Sequence, residues 1–116
     1  MNAKLTKKGL YTIMKFNSES FMTVGFQREI PDLIKLVLTK IIEDVASKDN
    51  EEIDYLQVFD LKTEYVGDQL YQRIEHTQEV PPFKQVFCFP YKSAVEKKIF
   101  CIDSDDYHTY LLAQEY

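Results

Sequence analysis

The sequence predicts an α+β domain: one main α-helix packed on a curved, mostly antiparallel β-sheet of five to six strands. Three observations carry this. Only one stretch, Leu33 to Val45, repeats apolar residues at three- and four-residue spacings, the mark of a helix with one buried face. From Ile53 onward the pattern changes to period two, the mark of strands with one face in a core. Between those strands stand short turn signals, Val66-Gly67-Asp68, Pro81-Pro82 and Asp103-Ser104-Asp105-Asp106. Such connections are too short for crossover helices, so hairpins are expected.

Taken in order, residues 1–20 read as a basic N-terminal arm or short strand, with Leu10 to Phe16 as its strand-like part, and residues 21–116 as the single domain. Asn17 to Ser20 reads as a turn. Phe21-Met22-Thr23-Val24-Gly25-Phe26 is rich in β-branched and aromatic residues and is expected as a strand, with Gly25 marking a bulge. Pro31 fits a first helical position because the missing N–H is not needed there, and Asp32 places negative charge in the first turn. The helix is expected over 31–46, with Leu33, Ile34, Val37, Leu38, Ile41, Ile42 and Val45 on its buried face.

Ile53 to Leu61 alternates, setting Ile53, Tyr55, Gln57, Phe59 and Leu61 on one face and Asp54, Leu56, Val58 and Asp60 on the other. Gln69 to Gln78 follows across the Gly67-Asp68 turn, with Leu70, Gln72, Ile74 and His76 on one side. The segments 83–89, 97–102 and 109–114 are the remaining expected strands.

Composition limits the function. The 116 residues are enough for one core and too few for two. No run approaches the roughly 20 apolar residues of a membrane span, and Met1 to Lys8 lacks the apolar stretch of a signal peptide, so a cytoplasmic location is expected. Net charge is −5 and unevenly spread: residues 1–18 hold Lys4, Lys7, Lys8 and Lys15 and no acid, leaving ten basic against nineteen acidic side chains, −9, in 19–116. An acidic body repels phosphate backbones, so direct nucleic-acid binding is not expected. It fits instead a protein partner with a basic nucleic-acid-binding surface; a second copy of the chain is the alternative partner.

Cys88 and Cys101 lie in apolar runs and are expected as buried free thiols of low reactivity. They lack the CxxC or HxxxH spacing of a zinc site. His76 alternates with Ile74 and reads as a structural residue. The chain has no phosphate loop, GxGxxG, HExxH or GxSxG, so no cofactor, no metal and no enzymatic activity are expected.

Four stretches carry a family resemblance: Gly25-Phe-Gln-Arg-Glu-Ile-Pro31, Asp54-Tyr-Leu-Gln-Val-Phe-Asp-Leu61, His76-Thr-Gln-Glu-Val-Pro81, and the C-terminal run Ile102 to Tyr116. Together, over about residues 21–116, they resemble the domain of unknown function 960 family of small Firmicute, staphylococcal-type proteins, some of which occur on mobile genetic elements. The resemblance implies no catalytic residue and no cofactor. It implies a context, the accessory proteins of mobile elements that meet host defence or DNA-processing machinery.

The densest polar cluster is Asp103, Asp105 and Asp106 with His108. It lacks the glycine and closing glutamate of a calcium loop; a self-capping hairpin turn is the plainer reading. Tyrosine favours interfaces, and Asp103, Asp105, Asp106, Tyr107, His108 and Tyr110 are the candidate partner-binding residues. The expected function is a non-enzymatic acidic binding module that inhibits a host nucleic-acid-handling defence protein, such as a type II CRISPR effector nuclease with its positively charged channel. The alternative is a small metal-independent enzyme or binder acting on RNA or DNA.

Overall fold

In a computed structural model, residues 3–5, 11–13, 16, 19–47 and 52–116 are described. The expected turn residues 17 and 18, the polar residues 48–51 after the helix, and Lys7, Lys8 and Lys15 lie outside them. Two short strands, β1 (Ala3–Leu5) and β2 (Tyr11–Ile13), form an antiparallel pair separate from the main sheet.

The chain then forms β3 (Glu19–Met22), α1 (Val24–Glu29) and α2 (Asp32–Ser47). The strand expected over 21–26 therefore ends at Met22, and Gly25 lies in a helix, not a bulge. Thr23 is the reason: its Oγ1 accepts the Phe26 N–H at 3.2 Å, closing the first turn of α1. Gly25 is needed there because a Cβ would stand 2.5 Å from Glu115 Oε2. At α2 the Pro31 carbonyl accepts the Lys35 N–H at 3.0 Å, which makes Pro31 the cap and Asp32 the first helical residue.

Five strands follow: β4 (Leu56–Val66), β5 (Gln69–Gln78), β6 (Phe83–Pro90), β7 (Lys97–Asp103) and β8 (Tyr107–Leu112), ending in a 3-10 turn, Ala113–Glu115. The sheet order is β3-β8-β7-β4-β5-β6. Hairpins join β4 to β5, β5 to β6 and β7 to β8, as expected. The connection from β6 to β7 is not a hairpin: β7 returns to pair with β4, giving a Greek key. Buried Gln72 holds that return. Its Oε1 accepts the Val95 N–H at 2.8 Å, and its Nε2 donates to the Val95 and Lys62 carbonyls at 3.0 Å each. The sheet is mixed, because β3 runs parallel to β8 along one edge.

The two sheet faces differ. Phe59, Leu61, Ile74, Ile99, Cys101, Tyr110 and Leu112 share one core with Ile34, Leu38, Ile41, Ile42 and Val45 of α2. Burying each such aliphatic side chain stabilises the fold by about 2 kcal/mol. Leu33, expected in the core, is 45% exposed, and Leu36 lies on the same outer side. The opposite sheet face, with Leu56, Val58, Phe100 and Ile102, is half-buried.

Candidate functional site

The β7–β8 hairpin carries the expected acidic turn. The Ser104 N–H donates to the Tyr107 carbonyl at 2.8 Å and the Asp106 N–H to the Ser104 carbonyl at 2.9 Å. Asp105 sits at φ +70°, a left-handed conformation that Asp tolerates better than most residues. The Asp103 N–H donates to the Tyr55 carbonyl at 2.9 Å, tying the turn to the entry of β4. Among the described residues, no three His, Cys, Asp or Glu side chains are grouped so that they could hold a metal ion.

The six candidate residues separate by sheet face. Asp105, Asp106 and Tyr107 are exposed and Asp103 is half-buried. His108 and Tyr110 point into the core and are buried, so they do not belong to a contact surface. The His108 ring stands edge-on to Phe16 at 5.8 Å and to Tyr110 at 5.7 Å. Burial lowers its pKa, and the Asp103 carboxylate opposes part of that shift. Tyr110 packs on Phe26 at 5.5 Å. Burial beside the Cys101 thiol raises its pKa, and burial likewise raises that of Cys101. Neither is a nucleophile there. Cys88, expected to be buried, is exposed, its thiol 3.8 Å from Glu64 Oε2.

The residue that joins Tyr107 is one the sequence did not single out. Parallel pairing sets Glu19 beside Tyr107 and Phe21 beside Thr109. Phe21 and Tyr107 then meet edge to face, with centroids 5.5 Å apart and planes at 88°, although they are 49% and 44% exposed. One sheet corner therefore combines two exposed rings with the exposed carboxylates of Glu19, Asp105 and Asp106. The sequence signal was weak: Phe21 is one aromatic in an apolar run, and only a pairing across nearly ninety residues places it.

A second polar assembly lies on the core side. His76 is fully buried, stacked on Phe59 at 4.8 Å and edge-on to Phe83 at 5.8 Å. Its Nε2 lies 2.6 Å from Gln57 Oε1 and its Nδ1 2.8 Å from Gln85 Nε2. The Gln57 amide is oriented by donating to the Asp54 carbonyl at 2.8 Å and to Gln78 Oε1 at 2.9 Å. Its oxygen is thus the acceptor, and the proton of neutral His76 sits on Nε2. Gln78 Nε2 donates to the Glu52 and Pro81 carbonyls, both at 2.9 Å. This network floors a cavity of about 220 Å³ walled by Val45, Glu52, Ile53, Pro81, Pro82 and Phe83. Its amides and imidazole fix the two loops beside it; Glu52 is the one carboxylate among the described lining residues, which include no hydroxyl or thiol.

Comparison with known proteins agrees with the fold. No curated protein matches the chain. A crystal structure of a protein of unknown function from Enterococcus faecalis is similar, with a TM-score of 0.71 and 21% identity, over 90% of this chain and 98% of that one. A family model described as a staphylococcal protein of unknown function, DUF960, matches residues 19–115. With the match spanning every strand of the main sheet and both helices, the chain belongs to the DUF960 family.

Proposed function

We propose that this protein is a non-enzymatic binding module whose partner is a protein with a basic, nucleic-acid-binding surface. In the mobile-element setting it acts as an inhibitor of a host defence protein of that kind, an RNA-guided effector nuclease being the sharpest instance. The observation that carries this is the corner where Phe21 and Tyr107 are exposed in edge-to-face contact beside Glu19, Asp105 and Asp106. Exposed rings supply anchoring area and a face for guanidinium groups. Neighbouring carboxylates accept charge-assisted hydrogen bonds from arginine and lysine. Opposite charge also steers encounter, so association is expected to be fast and salt-sensitive. The two histidines that an enzyme would draw on are both buried.

The test is affinity capture from host lysate with the wild type and with the Asp105→Asn, Asp106→Asn, Tyr107→Ala triple variant. All three side chains are exposed, so the variant should keep its fold. The wild type is expected to retain a basic nucleic-acid-handling protein that is released by salt and inhibited while bound, and the variant to lose it. Equal retention by both would remove the corner from the mechanism. RNA cleavage by the protein alone, abolished by changing His76, would replace the binding reading with an enzymatic one.

A further inference from the structure

The main sheet ends in β3 on one side and β6 on the other. β3 has four residues; β6 has eight, in unbroken register with β5 from Phe83 opposite Gln78 to Pro90 opposite Tyr71. Edge strands are commonly blunted by a bulge, an internal proline or several charges. In β6 the register is continuous, the proline is the last residue, and Lys84 is the single charge. Phe83 and Val86 are 39% and 41% exposed along it. One bond fixes which backbone groups face outward. The Tyr91 N–H donates to the Leu70 carbonyl at 3.0 Å, one step beyond the Tyr71–Pro90 pair. Hydrogen-bonded pairs alternate along an antiparallel ladder, so Phe83, Gln85, Phe87 and Phe89 bond to β5. The N–H and C=O of Lys84, Val86 and Cys88 therefore point to the open edge, which no other strand covers among the described residues.

This edge is symmetric about Val86. In Pro82-Phe-Lys-Gln-Val-Phe-Cys-Phe-Pro90, prolines stand four residues and phenylalanines three residues to either side of it. A two-fold axis through Val86 sets an antiparallel copy with its Cys88 opposite Lys84 and its Val86 opposite Val86. Every outward N–H between the two prolines then meets an outward C=O. Sliding the copy by two residues puts Lys84 or Cys88 opposite a proline, whose missing N–H strands a carbonyl; sliding by one opposes outward groups to inward ones. On the core side the same register sets Phe83 against Phe89 of the second copy at both ends, in close pairs where aromatic rings interact well. On the outer side Lys84 meets Cys88 of the copy, a thiol that lies 3.8 Å from Glu64 Oε2. Each Lys84 ammonium is thus brought to the other copy's Glu64. Lys84 is 58% exposed and 3.6 Å from Glu75, which Arg73 and Lys62 already hold at 2.8 and 3.3 Å, so it turns at small cost.

We propose that the protein forms a two-fold homodimer in which β6 pairs antiparallel with β6 of a second copy, joining two six-stranded sheets into one. The contact is isologous and closes on itself, which removes an edge that would otherwise recruit further chains. The Phe21–Tyr107 corner belongs to β3 and β8, at the far side of each sheet. Both corners stay open in the dimer, and the two proposals can fail separately.

Sedimentation velocity of the full chain across a dilution series tests this. The wild type is expected to sediment as two chains and to dissociate on dilution. Val86→Pro removes an outward N–H and keeps every bond to β5; with two bonds lost per dimer, dissociation should become about 30-fold easier or more. Val86→Lys places like charges on the axis and should weaken the dimer about tenfold, a second route should the proline disturb the strand. Glu64→Lys should weaken it severalfold, and adding Lys84→Glu should restore it, a rescue that only contact between the two positions gives. The corner triple variant should dimerise as the wild type does. Melting temperatures identify the variants that remain folded. A single-chain particle at every concentration, or a dimer indifferent to the folded Val86 variants, would overturn the proposal. So would a monomer whose β6 edge takes up an unrelated extended peptide, by making the occupant another protein.

Discussion

Gly25 and Glu115 illustrate how a single residue type is fixed by a distant partner. The Glu115 carboxylate accepts from Thr23 Oγ1 at 2.6 Å, from the Leu112 N–H at 2.8 Å and from the Gly25 N–H at 3.3 Å. It thereby joins the start of α1 to the end of β8, and these bonds, led by that from Thr23, lower its pKa. In an isolated helix Gly→Ala is favourable; here the new methyl would displace the carboxylate and cost it those bonds. Gly25→Ala is therefore expected to lower the melting temperature by a few degrees. In a Glu115→Ala background the same change should raise it. Thermal melts of the four proteins check the reversal of sign, and a stabilising Gly25→Ala in the wild type would refute the latch. From sequence, Gly25 was read as a bulge because nothing local reveals Glu115.

At the scale of elements, α2 was legible because its period is its own property, and β5 emerges at its expected bounds for the same reason. Which helical residues are covered was less legible. Leu33 and Ile41 both fit the apolar stripe, but the sheet covers only Ile41. Ile41→Asp places an unpaired charge in the core and is expected to cost about 4 kcal/mol, whereas Leu33→Asp should change stability by about 0.5 kcal/mol or less. Urea unfolding of the two variants checks this, and similar losses in both would mean that Leu33 is also packed. The buried glutamines belong to the same scale. Gln57 and Gln72 alternate with Phe59 and Ile74 on the core face. Their period was readable but their purpose, holding loop backbones, was not.

For the whole molecule, charge and burial combine into a two-step pH dependence. Burial depresses the His108 pKa, so the unfolded chain takes up that proton at higher pH than the folded one. Stability is then complete above about pH 6.5 and falls as the pH drops below it. Glu75, Glu96 and Glu115 have folded pKa values below the ordinary carboxylate range, so their contribution is present above about pH 4.5 and lost as the pH falls further. Melting temperature should thus be level near neutrality, decline from about pH 6.5 and decline more steeply below about pH 4.5. His108→Gln should diminish the upper step and spare the lower one; an upper step of unchanged size would assign it to another group.

The sequence by itself determined the α+β class, the main helix, the hairpin β4–β5 and the family, because periodicity, turn residues and short motifs are local. It also placed Asp105 and Asp106 in a turn, and they are exposed because a hairpin tip has no core to enter. Only the tertiary structure decided which strands are neighbours after β6, that β3 runs parallel to β8, and that Phe21 meets Tyr107 while Tyr110 turns inward. The same holds for the gathering of Lys62, Arg73 and Lys84 around Glu75 in a chain whose net charge hides it. These features depend on contacts between residues far apart in sequence. Their energies come from burial and register across the sheet, quantities that no local window of the chain contains.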